Sequence, residues 1–300
     1  MSRIHEALKK AEQERAMSQP GSRLESTSAA VEVAEVAAVT PGLGSIAPGV
    51  FVGGESLLAQ ARQTRWNPDA NCMLFFSSEE HVPGMEEFRT LRSRLYQLRE
   101  KQTLSKLLIT SALPKEGKSF TSSNLAQVLA RQHGRRVLLI DGDLRNPQLH
   151  RLLGTDPGPG MFEYLRGETD EASIIQRGQL ENLFFIPAGN YSSNPAELLA
   201  NGRLRTLLNR LESTFDWIII DSAPAVPVAD ATLMAKDCDG VLLVVRSNST
   251  PTDAARRARR EFADRNVVGV VLNGISPELS PYMQYYSAAY GQDARAASKN

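Results

Sequence analysis

Three segments of this chain place phosphate-directed chemistry at the ends of apolar runs. The first reads Ala112-Leu113-Pro114-Lys115-Glu116-Gly117-Lys118-Ser119, followed by Phe120. A phosphate-binding loop needs backbone N–H groups curled around the anion, a lysine for its charge and a hydroxyl for magnesium. Gly117, Lys118 and Ser119 stand in that order, and a helix beginning there aims its positive end at the phosphates. Ala112 occupies the place where the usual pattern has its first glycine. The second segment, Ile140-Asp141-Gly142-Asp143-Leu144-Arg145, puts two carboxylates one residue apart after an apolar run. If the backbone turns there, both face one cleft. One then suits magnesium and the other accepts a proton from a nucleophile. Spacing leaves open which does which, and alone the pair also reads as a helix cap with a surface ion pair to Arg145. The third, Trp217-Ile218-Ile219-Ile220-Asp221-Ser222-Ala223-Pro224, closes an apolar strand with an aspartate, the Walker B arrangement for magnesium. Any one of these aspartates could be a cap. All three segments in this order, each ending a strand, point to nucleotide binding. Asn273, after Val270-Val271-Leu272, offers a donor and an acceptor suited to a purine edge, and by itself is an ordinary loop residue.

The elements that must position these residues follow from periodicity. Phe88, Leu91, Leu95 and Leu98 recur at helical spacing over 84–101, with Arg and Glu on the other face. Beyond them apolar strands at 106–110, 136–140, 183–187, 217–220, 240–246 and 267–272 alternate with helices. The helices are expected at 118–132, 146–153, several short stretches through 212, 229–236 and 252–264. That alternation predicts an α/β P-loop NTPase fold, a mostly parallel sheet covered by helices on both faces. Ligands in such a sheet sit beyond the carboxyl ends of the strands. Before this region the chain changes character. Residues 1–17 read as a short charged helix with Ile4, Leu8 and Ala11 on one face, which needs a partner surface to hold it. Residues 18–79 are rich in Ala, Ser, Gly, Pro and Val and read as a flexible, largely disordered linker, with weak local structure near 50–61. The ordered domain is expected over 80–279 and a tyrosine-rich tail over 280–300.

Composition narrows the class. Thirty-four basic residues balance 34 acidic ones, so no global field recruits nucleic acid or an anionic membrane. Arg256, Arg257, Arg259 and Arg260 form a local basic cluster that reads first as a solvated helix face. Cys72 and Cys238 are the only cysteines and lie in no metal or redox spacing, which fits a reducing cytoplasm and excludes an iron–sulfur electron carrier. No secretory h-region opens the sequence, and no apolar run approaches the length of a membrane span.

Taken together, these segments resemble the bacterial tyrosine kinases of capsule and exopolysaccharide systems. The phosphate-binding loop, the IDGDLR-like segment and the IIIDSAP-like segment match at 112–119, 140–145 and 218–224. Asn146-Pro147-Gln148-Leu149-His150, Ile186-Pro187-Ala188-Gly189 and Asn194-Pro195-Ala196-Glu197-Leu198-Leu199 extend the likeness over about 80–290. The opening MSRIHEALKKAEQER looks like the start of autokinases that accompany polysaccharide chain-length proteins. The resemblance implies ATP and Mg2+ as cofactors. Pro114, Lys115, Glu116, Gly117, Lys118, Ser119 and Phe120 would then surround the phosphates, with Asn273 at the adenine. Ser119, Asp143 and Asp221 would lie around the metal, and Asp141 would be the base that activates a tyrosine. The family's E-x-x-R-x-x-R motif for self-association is matched by Glu86, Arg89 and Arg92, which otherwise read as an exposed face of charge pairs. Two departures stand out. Lys115 replaces a glycine common after the proline, and Leu113 occupies the signature-lysine position of MinD and ParA relatives.

The tail carries Tyr282, Tyr285, Tyr286 and Tyr290, four of the chain's seven tyrosines within nine residues. By resemblance they are phosphate acceptors presented to a neighbouring subunit. Otherwise they would form an aromatic patch packed on the domain. The expected function is ATP-dependent tyrosine autophosphorylation in trans within a homo-oligomer, regulating polysaccharide polymerisation and export. The partner would be a membrane-anchored chain-length determinant, or co-polymerase, that holds a cytoplasmic chain at the inner face of the plasma membrane. The competing readings are a MinD/ParA-like ATPase switch without kinase activity and an ATP-binding scaffold of the export machinery.

Overall fold

A computed structural model describes residues 54–76, 84–190 and 194–275. All lie in one compact unit, Val50–Asn300. The charged helix expected at 1–17, the first part of the linker and the tail at 280–300 lie outside the described residues.

The helices are α1 Gly54–Gln60, α2 Met85–Arg99, α3 Lys118–Ala130, α4 Leu149–Leu153, α5 Met161–Arg166, α6 Glu171–Ile174, α7 Pro195–Ala200, α8 Arg203–Leu211, α9 Asp230–Met234 and α10 Thr252–Glu261. The strands are β1 Arg62–Gln63, β2 Lys106–Ser111, β3 Val137–Asp141, β4 Gln176–Arg177, β5 Leu183–Ile186, β6 Trp217–Asp221, β7 Gly240–Arg246 and β8 Val267–Asn273. The strands form one sheet in the order β1-β4-β5-β3-β6-β2-β7-β8. Only β4 and β5 pair antiparallel.

Alternation along the strands divides the core. Leu108, Leu138, Ile140, Ile218 and Ile220 face one side, where Leu204, Leu207, Leu208 and Leu211 of α8 cover them. Leu107, Ile109, Leu139 and Ile219 face the other, under Leu125, Val128 and Leu129 of α3 and Phe88 and Leu95 of α2. Strands β2, β3, β5 and β6 are buried along their whole length, as a sheet covered on both faces requires. The expected doubly covered parallel sheet is therefore present, with element ends shifted by a few residues.

Part of the linker is ordered, over 54–61 where weak local structure is expected and over 62–76 where it is not, so that the structured stretch runs over 54–76. This stretch forms α1, the edge strand β1 and a 3-10 turn at Leu74–Phe76. Trp66, Met73, Leu74 and Phe75 are buried in the α3 side of the core. The reason lies in α3, which sits so centrally that eleven of its thirteen residues are buried, Asn124 and Gln127 among them. Buried amides must find partners. Asn124 takes the N–H of Leu74 at 2.9 Å and gives a bond to the carbonyl of Cys72 at 2.8 Å, which ties the strap down. Too short and aperiodic for a pattern, the strap is held by contacts distant in sequence.

Candidate functional site

Strand β2 delivers the chain to the top of the sheet at Ser111, and α3 leaves from Lys118. The turn between them needs two left-handed residues. Gly117 has φ +93°, and Lys115 has φ +65° despite its side chain. A Cβ on Gly117 would lie 1.9 Å from Nδ2 of Asn273, so this glycine is required by space as well as by backbone. The first N–H groups of α3 have no partner within the helix and point out of its positive end.

Strands β3 and β6 are neighbours in register, with Asp141 opposite Asp221. Their ends bring the expected carboxylates to the loop. Lys118 Nζ pairs with Asp143 Oδ2 at 2.9 Å, and the Ser119 hydroxyl donates to Asp221 Oδ2 at 2.6 Å. Asp141 accepts from the N–H of Leu149 at 3.0 Å and of Asp143 at 3.3 Å, and Asp143 accepts from the N–H of Asn146 at 3.0 Å. Gly142 lets the two strand ends touch: its N–H bonds the Asp221 carbonyl at 2.9 Å, and a Cβ there would stand 2.7 Å from that oxygen.

Asp141 and Asp221 are 0% exposed and Asp143 is 3% exposed. Burial raises the Asp141 carboxyl well above its usual range, and the charge of Asp221 adds to the rise. Burial also lifts Asp221, to about 6, although Lys118 and the Ser119 hydroxyl pull it back. Burial works against the Lys118 ammonium, but Asp221 and Asp143 outweigh it and the net shift is upward. Three buried carboxylates thus face one ammonium, a deficit of positive charge that a cation relieves. Asp221 Oδ1 is buried and accepts no hydrogen bond. Among the described residues no group of three or more acidic, His or Cys side chains forms a metal cage. Mg2+ needs none, since it keeps waters and phosphate oxygens and takes one or two protein oxygens. Ser119 and Asp221 fit that role, and the α3 N-terminus with Lys118 fits a nucleotide's phosphates.

The other expected residues divide. Glu116 is buried, with its carboxylate on the N–H of Leu113 at 2.9 Å and on the hydroxyl of Thr250. Asn273 stands at the loop, its Nδ2 on the Glu116 carbonyl at 3.0 Å. The Phe120 side chain packs edge-on against Phe88 of α2 at 5.8 Å, so only its backbone can serve the site. On α2, Glu86 and Arg89 pair with each other, whereas Arg92 Nη1 binds the Val128 carbonyl of α3 at 3.1 Å. Tyr282, Tyr285, Tyr286 and Tyr290 lie outside the described residues. Arg145 makes a two-armed bond to buried Asp230 of α9, at 2.7 and 3.0 Å, tying the turn after β3 to the helix after β6. Sequence reasoning missed Asp230, Thr250 and Arg246, which no local motif marks.

A family model described as an AAA domain matches residues 115–254. The chain is 34% identical over 212 residues to a protein of Ralstonia solanacearum named putative tyrosine-protein kinase EpsB. The match covers 70% of this chain and 28% of that one, so the chain spans little more than a quarter of this longer relative. It is 33% identical over 202 residues to the tyrosine-protein kinase YwqD of Bacillus subtilis, covering 67% of this chain and 84% of that protein. Among solved structures, the kinase domain of the Escherichia coli tyrosine kinase Etk superposes with a TM-score of 0.61 at 34% identity. That match covers 64% of this chain and 75% of that one. By its phosphate-binding loop, its paired strand-end aspartates and these matches, the chain belongs to the bacterial tyrosine-protein kinase family.

Proposed function

We propose that this chain is an ATP-dependent protein-tyrosine autokinase that labels its own C-terminal tyrosines in trans and so regulates polysaccharide polymerisation and export. The observation that carries this reading is the constellation Lys118–Asp143 at 2.9 Å and Ser119–Asp221 at 2.6 Å, at the phosphate-binding loop of a tyrosine-kinase family member. Phosphoryl transfer asks the protein mainly for positioning and for charge around the transferring group. Lys118 and the N-terminal amides of α3 hold the phosphates. Ser119 and Asp221 would supply oxygens for magnesium, with Asp143 beside them on Lys118, and the ion when bound would neutralise charge on the phosphates. Asp141, buried at the end of β3 beside Asp143 and Asp221, accepts the proton of the attacking tyrosine. Asn273 keeps a free carbonyl oxygen for an adenine amino group while its amide nitrogen is spent on Glu116.

The acceptors are Tyr282, Tyr285, Tyr286 and Tyr290. Strand β8 ends at Asn273, beside the phosphate-binding loop, and Tyr282 follows nine positions later. Nine extended residues reach about 30 Å, enough to present a tyrosine to an adjoining protomer. Glu86, Arg89 and Arg92 on α2 would mediate self-association, and each phosphate would add about −1.5 to −2 charge that loosens the assembly. Among the described residues no helix is long and apolar enough to cross a membrane. By likeness to the kinases of polysaccharide systems, we assign recruitment to the cytoplasmic face of the membrane to a chain-length co-polymerase partner.

The test is labelling with ATP and magnesium followed by mapping of modified residues, with and without the cytoplasmic segment of a candidate partner. Label on the tail tyrosines that disappears in Lys118→Met supports the reading. Nucleotide binding with no labelled tyrosine under either condition refutes it.

A further inference from the structure

The ends of β7 and β8 and the loop between β7 and α10 bind the phosphate-binding loop at several points. The Arg246 guanidinium donates to the Lys115 carbonyl at 3.1 Å, and the Asn273 amide donates to the Glu116 carbonyl at 3.0 Å. The Glu116 carboxylate, on a residue 3% exposed, accepts from the Thr250 hydroxyl and from the N–H of Leu113. Thr250 is itself fixed, since its hydroxyl oxygen accepts the N–H of Arg246 at 2.9 Å.

The four bonds made to Lys115 and Glu116 share one property. Each falls on a carbonyl or carboxylate oxygen of the phosphate-binding loop. Those oxygens would repel a phosphate, and bonding turns them away from it. Because a peptide unit is planar and trans, a carbonyl turned outward turns the N–H of the same unit inward. The left-handed conformation at Lys115, unfavourable for a residue with a side chain, lies inside the bonded stretch.

We propose that the β7–α10 loop latches the phosphate-binding loop through Thr250 and Glu116, so that its amides face the phosphates before nucleotide arrives. Thr250 is thus a positioning residue for the nucleotide. This rests on the reading of the loop as an ATP site, and it does not depend on whether a tyrosine receives the phosphate. Ordering a loop in advance removes part of the entropy that binding would otherwise cost, so the latch acts on affinity. Once nucleotide is bound, the phosphates hold the amides themselves, and turnover at saturating ATP should change little.

The experiment uses the full chain and its variants Thr250→Val and Thr250→Ser, with magnesium and a fluorescent ADP analogue for Kd. Phosphate release gives KM and kcat for ATP. Valine keeps the shape and loses the hydroxyl, leaving one oxygen of a buried carboxylate unpaired. We expect Kd and KM to rise about 10-fold in Thr250→Val, Thr250→Ser to stay within about 2-fold of the parent, and kcat to change less than about 2-fold in both. A valine variant binding within about 2-fold of the parent overturns the latch, as does a serine variant as weak as the valine. Should valine compromise folding, Glu116→Gln and Glu116→Ala supply the comparison. Glutamine keeps hydrogen-bonding groups for both partners and should bind much more tightly than alanine, and equal losses refute the proposal. A parent that binds nucleotide but labels no tyrosine removes the kinase reading and leaves the latch standing. Normal labelling with an unaffected valine variant does the reverse.

Discussion

Gly117→Ala tests the site where backbone and packing make separate demands. At φ +93° a residue with a Cβ is strained, by about 1–2 kcal/mol. The added methyl would also lie 1.9 Å from Asn273 Nδ2 and 3.1 Å from its Cγ, so the amide must swing away. It then gives up its 3.0 Å bond to the Glu116 carbonyl, worth about 0.5–1.5 kcal/mol. The sum is about 1.5–3.5 kcal/mol, which for a domain of this size lowers Tm by about 3–14 °C. A double-mutant cycle with Asn273→Ala separates the two parts. Asn273→Ala alone should cost the hydrogen bond, about 1 kcal/mol. In the double variant that bond can be lost only once, so the combined cost should fall short of the sum of the singles by about 1 kcal/mol. Urea unfolding of all four proteins, with m-values compared, measures this. Strict additivity, or a Gly117→Ala cost below about 0.5 kcal/mol, would refute the reasoning.

Lys115 holds a left-handed conformation better suited to glycine, so Lys115→Gly should raise stability by up to about 1 kcal/mol in the same assay. At the opposite end of the sheet Lys106 pairs with Glu212 at 2.7 Å and Asp239 at 3.5 Å. Burial pulls the Lys106 ammonium down, but these acids outweigh it and its folded pKa lies above the ordinary value. Its contribution is therefore full below the unfolded lysine value of about 10.4 and is lost as pH rises through the folded one. The stability deficit of Lys106→Met should accordingly shrink in strongly alkaline buffer. For Asp239, burial pushes the carboxyl up, but the N–H groups of Lys106 and Ser105 prevail and the net shift is downward. Its contribution is present above about pH 3.9 and is lost as pH falls through the lower folded value, so the deficit of Asp239→Asn should shrink in acid. Denaturant titrations across pH check both signs.

Much of the site was legible because its chemistry is local. A lysine and a hydroxyl next to a glycine, after an apolar run and before a helix, can be recognised within ten residues. An aspartate that closes an apolar strand can be recognised as readily. What escaped was held across the fold. Trp66 and Met73 sit in a segment without periodicity, and partners far along the chain, among them Asn124 and Gln179, give that segment a reason to be ordered. Thr250 and Glu116 are 134 positions apart, and neither carries a motif that would pair them.

By itself, the sequence determined the alternation of strands and helices, the covered parallel sheet and the residue types at the strand ends. Hydrophobic periodicity and the phosphate-binding motif act over distances shorter than one element. Only the tertiary structure decided which carboxylate meets Lys118, that Asp221 keeps an unpartnered oxygen, that Arg145 binds Asp230, and that Asn273 leans on the phosphate-binding loop. Those outcomes depend on strand order. Placing β6 between β3 and β2 brings Asp141, Asp221 and the loop after β2 side by side, and placing β7 and β8 beyond β2 brings Thr250 and Asn273 against it. Strand order is set by the packing of whole elements, in which each segment's partners lie far away along the chain.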